Sequence, residues 1–189
     1  MNLETLLDKA KWSTLSENEV RSVAQKINEF DKSGDYSSLY SALHILGRAE
    51  AHEYKALIEK FLVYPKDPMV SRIALKVLCE YWDFIESYKG HLMSFIKGIN
   101  WDKEEQVRIV AISIAGEYVR KTKNKEFLRL LLNTFENEKE ERMIRMCVYS
   151  ALLRILGLDW NQIPQPRELF SSLEEYIDPS LINQFHKLL

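Results

Sequence analysis

Apolar residues recur in this chain at an interval of 37 positions, and that beat limits the fold more than any other feature of the sequence. Val70, Val107, Ile144 and Leu181 form one row, Ala74, Ala111, Val148 and Phe185 a second, and Leu78, Ala115, Leu152 and Leu189 a third. Upstream, Ile58, Phe95, Leu132 and Leu169 keep the same lag. Within a unit the spacing is that of one helix face, as in Val70, Ala74, Val77, Leu78 and Tyr81. Tyr54, Leu57, Ile58, Phe61 and Leu62 mark a shorter helix before it. Each unit therefore reads as a helical hairpin, which cannot bury its apolar face alone and must stack on its neighbours.

The punctuation agrees with helices. Six Gly and five Pro in 189 residues are too few breakers for a β-sandwich or barrel, and a hydrophobic content of 46% excludes a disordered chain. Asp67-Pro68 and Asp178-Pro179 each place an N-cap carboxylate before a proline at the first helical position. Ser16 with Glu19, and Asp102 with Glu105, have capping-box spacing. Gly47 and Gly157 are expected to close second helices in the left-handed conformation, Gly34 and Gly90 to lie in turns or at helix ends, and Gly116 to sit inside a helix at a close approach. The expected hairpins span about 16–48, 51–83, 87–121, 124–157 and 166–189, after a short helix near 3–11. In the first of them the lag slips to 35, pairing Leu43 with Leu78.

Asp102-Lys103-Glu104-Glu105-Gln106-Val107-Arg108-Ile109-Val110-Ala111, followed by Ile114-Ala115-Gly116, resembles the HEAT-like (armadillo/HEAT-type) helical repeat: an Asp in the turn, a Val-Arg pair, then Ala and small residues. Ile144-Arg145 keeps the apolar-Arg pair, while Arg72 falls one place late after Val70-Ser71. The resemblance implies an all-α fold, a right-handed α-α superhelix or α-solenoid of about five hairpins. It would be a single solenoid domain over 1–189, with an N-terminal cap and degenerate first hairpin in 1–50, three central hairpins in 51–158 and a capping hairpin in 159–189. It also implies that Asp102, Arg108 and Arg145 form a structural ladder between repeats.

Charge and chemistry exclude more than they select. Twenty-six basic and 28 acidic side chains leave a net charge of −2 and no field that would gather a polyanion or an acidic membrane surface. Cys79 and Cys147 are too few for a disulfide framework and suit a reducing, cytoplasmic setting. The N-terminus lacks the apolar core of a signal peptide, and no uncharged run reaches the ~18 residues of a membrane span. There is no phosphate-binding glycine loop, paired-cysteine motif or metal-spaced histidine pair. His44, His52, His91 and His186 lie in separate units, so no catalytic residue, cofactor or metal is expected. Trp82, Trp101 and Trp160 stand near helix ends, where each packs over a repeat junction or anchors a partner.

In HEAT-like solenoids the second helices line the concave surface, the usual recognition face of such folds. Counting from Val70 around a helical wheel, the positions opposite the buried row are Arg72, Lys76, Cys79 and Asp83, then Ile109, Ser113, Gly116 and Arg120, then Met146, Ser150, Leu153 and Gly157. Glu80, Glu117 and Arg154 flank them. Ile109, Met146 and Leu153 are expected either to pack between repeats or to form the apolar end of a groove that is charged at its other end. The groove predicts a non-catalytic module that binds another protein through Arg72, Lys76, Glu80, Asp83, Ser113, Glu117, Arg120, Ser150 and Arg154. The chain itself is expected to be a monomer or a weak homo-oligomer. An adaptor, an assembly chaperone and a toxin-immunity protein all fit that description. The alternative is a HEAT-like glycosylase for alkylated DNA bases, for which the basic run Arg120, Lys121, Lys123, Lys125 and Arg129 would contact phosphates; a pI near 6.1 weighs against it.

Overall fold

The computed structural model describes residues 1–158, 162–163 and 173–189, which are helical with no strand among them. They divide into two compact units, Met1–Tyr88 with Asn100–Val107, and Lys89–Ile99 with Arg108–Leu189. The chain passes from one to the other at three points, the first at Tyr88, whose φ of −118° and ψ of 16° interrupt a helix from Ile85 to Ile96.

The first unit begins with α1 (Leu3–Lys11), α2 (Glu17–Ser33) and α3 (Tyr36–Arg48). Ser16 and Glu19 form the expected reciprocal capping box at the start of α2. Gly34, at φ 73°, ends that helix, because a left-handed turn there lets Gly34 and Asp35 donate to the last free carbonyls. A 3-10 turn, His52–Tyr54, leads into the single-turn helix α4 (Lys55–Glu59). Asp67 then accepts from the backbone of Met69 and Val70 and starts α5 (Pro68–Lys76), which passes into a π-helical turn, Val77–Tyr81. Both α1 and α2 pack on α3, and α3 packs on α5 and on the π turn. Leu39, Leu43, Leu46, Ile58, Val70, Ala74 and Leu78 are fully enclosed there. Burying each large aliphatic side chain contributes about 1.5–3 kcal/mol.

Gly47 departs from the sequence expectation. It does not close α3 in a left-handed conformation but lies buried inside it, one residue before the helix ends. Its missing side chain is what admits the π turn, since a Cβ there would stand 2.4 Å from Val77 Cγ2 and 2.8 Å from Tyr81 Cδ2. The Trp82 indole donates to the Gly47 carbonyl at 3.1 Å and ties the end of the π turn to the same spot. Trp82 is thus a buried packing residue, whereas Trp12 is 79% exposed. Trp160 and the Leu169 member of the apolar rows lie outside the described residues.

The remaining helices are α6 (Ile85–Ile96), α7 (Gln106–Thr122), α8 (Lys125–Glu136), α9 (Arg142–Ile155) and, after a helical turn at 173–176, α10 (Pro179–Leu188). Gly90 lies two residues past the Tyr88 interruption, at the start of the second helical stretch of α6, with open space around it. In the second unit α8 packs on α9, and α10 on α8. Gly116 does mark a close approach, for a Cβ there would come within 2.8 Å of Ala151 Cβ and 3.3 Å of its Cα. Gly157, at φ 88°, takes the expected left-handed conformation after α9. Phe95, Ala111, Ala115, Leu132, Ile144, Val148, Leu152 and Phe185, all members of the 37-residue rows, are buried. Asp178 caps α10 through Ser180.

Candidate functional site

The three ladder residues make different contacts. Asp102, 2% exposed, accepts from the backbone of Gln106 at 2.9 Å and of Val107 at 2.8 Å and so caps α7. Arg108 sends Nε to the carbonyl of Ile96, the last residue of α6, and grips Glu140 with both terminal nitrogens at 3.1 and 2.6 Å. Arg145 repeats the first contact, its Nε donating at 3.0 Å to the carbonyl of Phe135 near the end of α8, and its terminal nitrogen lies 3.9 Å from Glu174. Each arginine therefore satisfies an orphan carbonyl at the end of a preceding helix and meets a glutamate further along the chain.

Of the expected binding stripe, the apolar end is part of the core. Met146 and Leu153 are 5% and 3% exposed, and Cys79 and Gly116 are buried too, so these four face packed neighbours. For Gly116 the reason is its tight approach to Ala151. Arg154 reaches Ser113 Oγ at 3.3 and 3.4 Å from α9 to α7, and Ser150 is half-buried on α9. Glu117 and Arg120 pair with each other on α7 at 2.6 and 2.9 Å. Asp83 is exposed just beyond the π turn at φ 56°.

The charged end, in the first unit, is more organised than its sequence spacing announces. Arg72, Lys76 and Glu80 follow one another at intervals of four, with Lys76 Nζ 3.4 Å from Glu80. Lys76 also lies 5.7 Å from the centroid of the Tyr81 ring, and Arg48 from α3 lies 4.6 Å from the same centroid. His44 stacks beside that ring at 5.8 Å and 18°, and Tyr40 meets His44 edge-on at 6.1 Å. Arg48 Nε, which can only donate, points at His44 Nε2 at 3.4 Å, so Nε2 is an acceptor whose lone pair is shared with the Tyr81 hydroxyl, which donates to it at 3.0 Å. Tyr40, His44, Arg48 and Tyr81 had no place in the sequence-based stripe. The signal was present nonetheless, because His44 and Tyr81 stand 37 residues apart, the same lag as the core rows.

This environment keeps His44 neutral. Burial lowers its pKa from 6.5 to about 4, and the positive charges of Arg48, Lys76 and Lys11 push the same way. A depressed value means that protonation favours the unfolded chain: the contribution of neutral His44 is complete above pH 6.5 and is lost as the pH falls from there through about 4. A proton NMR titration should give a midpoint near 4 for His44, and a midpoint at the ordinary 6.5 would contradict its packed position.

Next to this cluster, a cleft of about 460 Å³ is lined by Glu17, Arg21, Arg48, Glu50, Glu53 and Tyr54 among others. Ser13 and Glu50, both at positive φ, form part of its wall. Elsewhere the reactive side chains are occupied or shielded. Burial raises the Cys79 thiol to about 12, with Asp83 adding to the effect, and burial likewise raises Cys147. His52 packs edge-on against Trp82 at 4.9 Å, and His186 bonds Glu136 at 2.7 Å. Among the described residues no group of His, Cys, Asp or Glu is placed to hold a metal ion, and no helix is long and apolar enough to cross a membrane.

No protein-family model, curated protein or solved structure matches this chain. Its fold class is all-α on its own helices, and its activity has to be read from the side chains alone.

Proposed function

We infer that the chain is a non-catalytic protein-binding module, built as a HEAT-like α-solenoid, that presents its second-helix faces to a partner protein. The observation that carries the reading is the cluster around Tyr81. Two cations, a stacked histidine and a second tyrosine are gathered at the surface of α3 and α5, where Arg48 is exposed and Tyr40, His44, Arg72 and Lys76 are half-buried. Aromatic and arginine groups held partly dry are the residue types that dominate protein interfaces. The solenoid part of the reading rests on the 37-residue rows and on the equivalent carbonyl contacts of Arg108 and Arg145, themselves 37 residues apart.

The test is partner capture from the native host with the intact chain and with an R72A/K76A/E117A/R120A variant. Asp83 is left unaltered because alanine at its positive φ adds strain. The two pairs removed are partly exposed and join residues three or four apart, each contributing about 0.3–0.5 kcal/mol, so Tm should stay within about 4 °C. A partner held by the intact chain should be lost by the variant. If the variant retains it, the second-helix faces are not the binding surface.

A further inference from the structure

The kind of partner can be read from the charge on the α3–α5 face. Arg48, Arg72 and Lys76 stand there against the carboxylates of Glu80 and, just past the π turn, Asp83, a local excess of at least one positive charge on a chain of net charge −2. Lys76 is engaged by Glu80, but Arg48 and Arg72 have no carboxylate partner among the described residues. Arg48 contacts His44 and the Tyr81 ring, and Arg72 contacts Met69 Sδ at 3.8 Å. Without a carboxylate partner both arginines keep forked donors for a ligand, and Arg48 does so against the half-buried Tyr81 ring.

We propose that this face, with Arg48 and Lys76 over the Tyr81 ring and Arg72 one helical turn away, docks an acidic segment of the partner protein. The proposal rests on the protein-binding reading and specifies its ligand. Arg72 and Lys76 are four residues apart, about 6 Å along the helix. That spacing matches carboxylates at alternate positions of an extended chain, about 6.6 Å apart. The glutamates at positions 17, 50 and 53 of the adjoining cleft repel an acidic chain and confine it to the α3–α5 side of Arg48. A nucleic acid fits less well. Three cations offset by Glu80 neutralise few phosphates. The Tyr81 ring, the natural stacking platform, already has Arg48 and Lys76 against it.

An occupant of this kind has an internal reporter. His44 is held neutral by burial and by Arg48, Lys76 and Lys11, while Tyr81, Tyr40 and Glu80 complete the groups around it. Carboxylates bound beside those cations offset their field, so the His44 titration midpoint should rise on binding.

The experiment uses the full chain and four probes of about twelve units: alternating Glu-Ser, Lys-Ser and Asn-Ser peptides, and oligothymidylate. Binding is followed by fluorescence anisotropy and by NMR shifts on α3, α5 and His44. The Glu-Ser peptide should bind, lose at least tenfold in affinity between about 50 and 300 mM salt, and raise the His44 midpoint. R48A/R72A/K76A should weaken it at least tenfold, whereas E80Q should tighten it about threefold, a gain that a misfolded variant cannot mimic. No binding of Glu-Ser at low salt, equal binding by the triple variant, or equal or tighter binding of oligothymidylate at these helices each overturns the acidic-segment proposal. If the Lys-Ser or Asn-Ser peptide, or a captured partner, perturbs α3 and α5 while Glu-Ser does not, the proposal falls and the protein-binding reading stands. If no probe and no captured partner perturbs them, both fall.

Discussion

Replacing Arg108 by alanine is expected to destabilise the second unit by about 3–5 kcal/mol, the usual result of removing one partner from a buried ion pair. The Arg108 and Glu140 side chains are 7% and 14% exposed and are joined by two hydrogen bonds. Deleting the guanidinium strands a desolvated carboxylate and also orphans the Ile96 carbonyl, which has Arg108 Nε as a donor at 2.8 Å. For a chain of this length the Tm should fall by about 6–20 °C. R108K should lie between wild type and alanine, because an ammonium keeps the charge but not the fork. The double variant R108M/E140L should be more stable than R108A, since it also removes the Glu140 charge that R108A leaves without its partner. Arg145 is the natural control: its acidic partner Glu174 is 64% exposed and 3.9 Å away, so R145A should cost about 1 kcal/mol. Equal losses for R108A and R145A in urea denaturation would show that burial does not set these energies.

Those two arginines also mark how far sequence reasoning reaches. Pairing them needed only the 37-residue lag, because the same residue at the same place in a repeat meets the same helix end. Their acidic partners were hidden. Glu140 sits in a run of charge, Glu136-Asn137-Glu138-Lys139-Glu140-Glu141-Arg142, where sequence alone cannot say which carboxylate turns inward. N-caps at Ser16, Asp67 and Asp178 were legible because a cap is a local bond within two or three residues. The expected Asp102–Glu105 capping box, by contrast, does not form: Glu105 precedes α7 at φ 55° and Asp102 reaches past it to Gln106 and Val107. The site was less legible, since it depends on contacts between helices. Arg72, Lys76 and Glu80 were found by helix spacing, but their companions His44, Arg48 and Tyr81 come together only because α3 and α5 touch. For Met146 and Leu153 a helical wheel left packing and a groove's apolar end both open, and their burial agrees with packing.

Gly47 tests that inter-helix contact directly. In an open helix, alanine in place of glycine adds about 0.5–1 kcal/mol of stability by reducing the freedom of the unfolded chain. Gly90, in the first turn after the Tyr88 interruption with nothing near its Cβ direction, should show a gain at the low end of that range. At Gly47 the sign should reverse, with a loss of about 1–3 kcal/mol, because the new methyl would stand 2.4 Å from Val77 Cγ2 and 2.8 Å from Tyr81 Cδ2. Val77 is β-branched and fully buried, so it cannot swing aside, and the π turn has to move as a whole. That movement loosens the Trp82 bond to the Gly47 carbonyl and the Tyr81 bond to His44. The His44 titration midpoint should therefore climb from about 4 toward 6.5 in G47A, a change no remote destabilisation produces in the folded state. In a V77A background the added methyl has room, so G47A should cost far less there, and the double-mutant cycle should return a coupling of about 0.5–3 kcal/mol. A G47A protein as stable as G90A, with His44 unmoved, would mean that the close approach of α3 to the π turn does not hold Tyr81 in place.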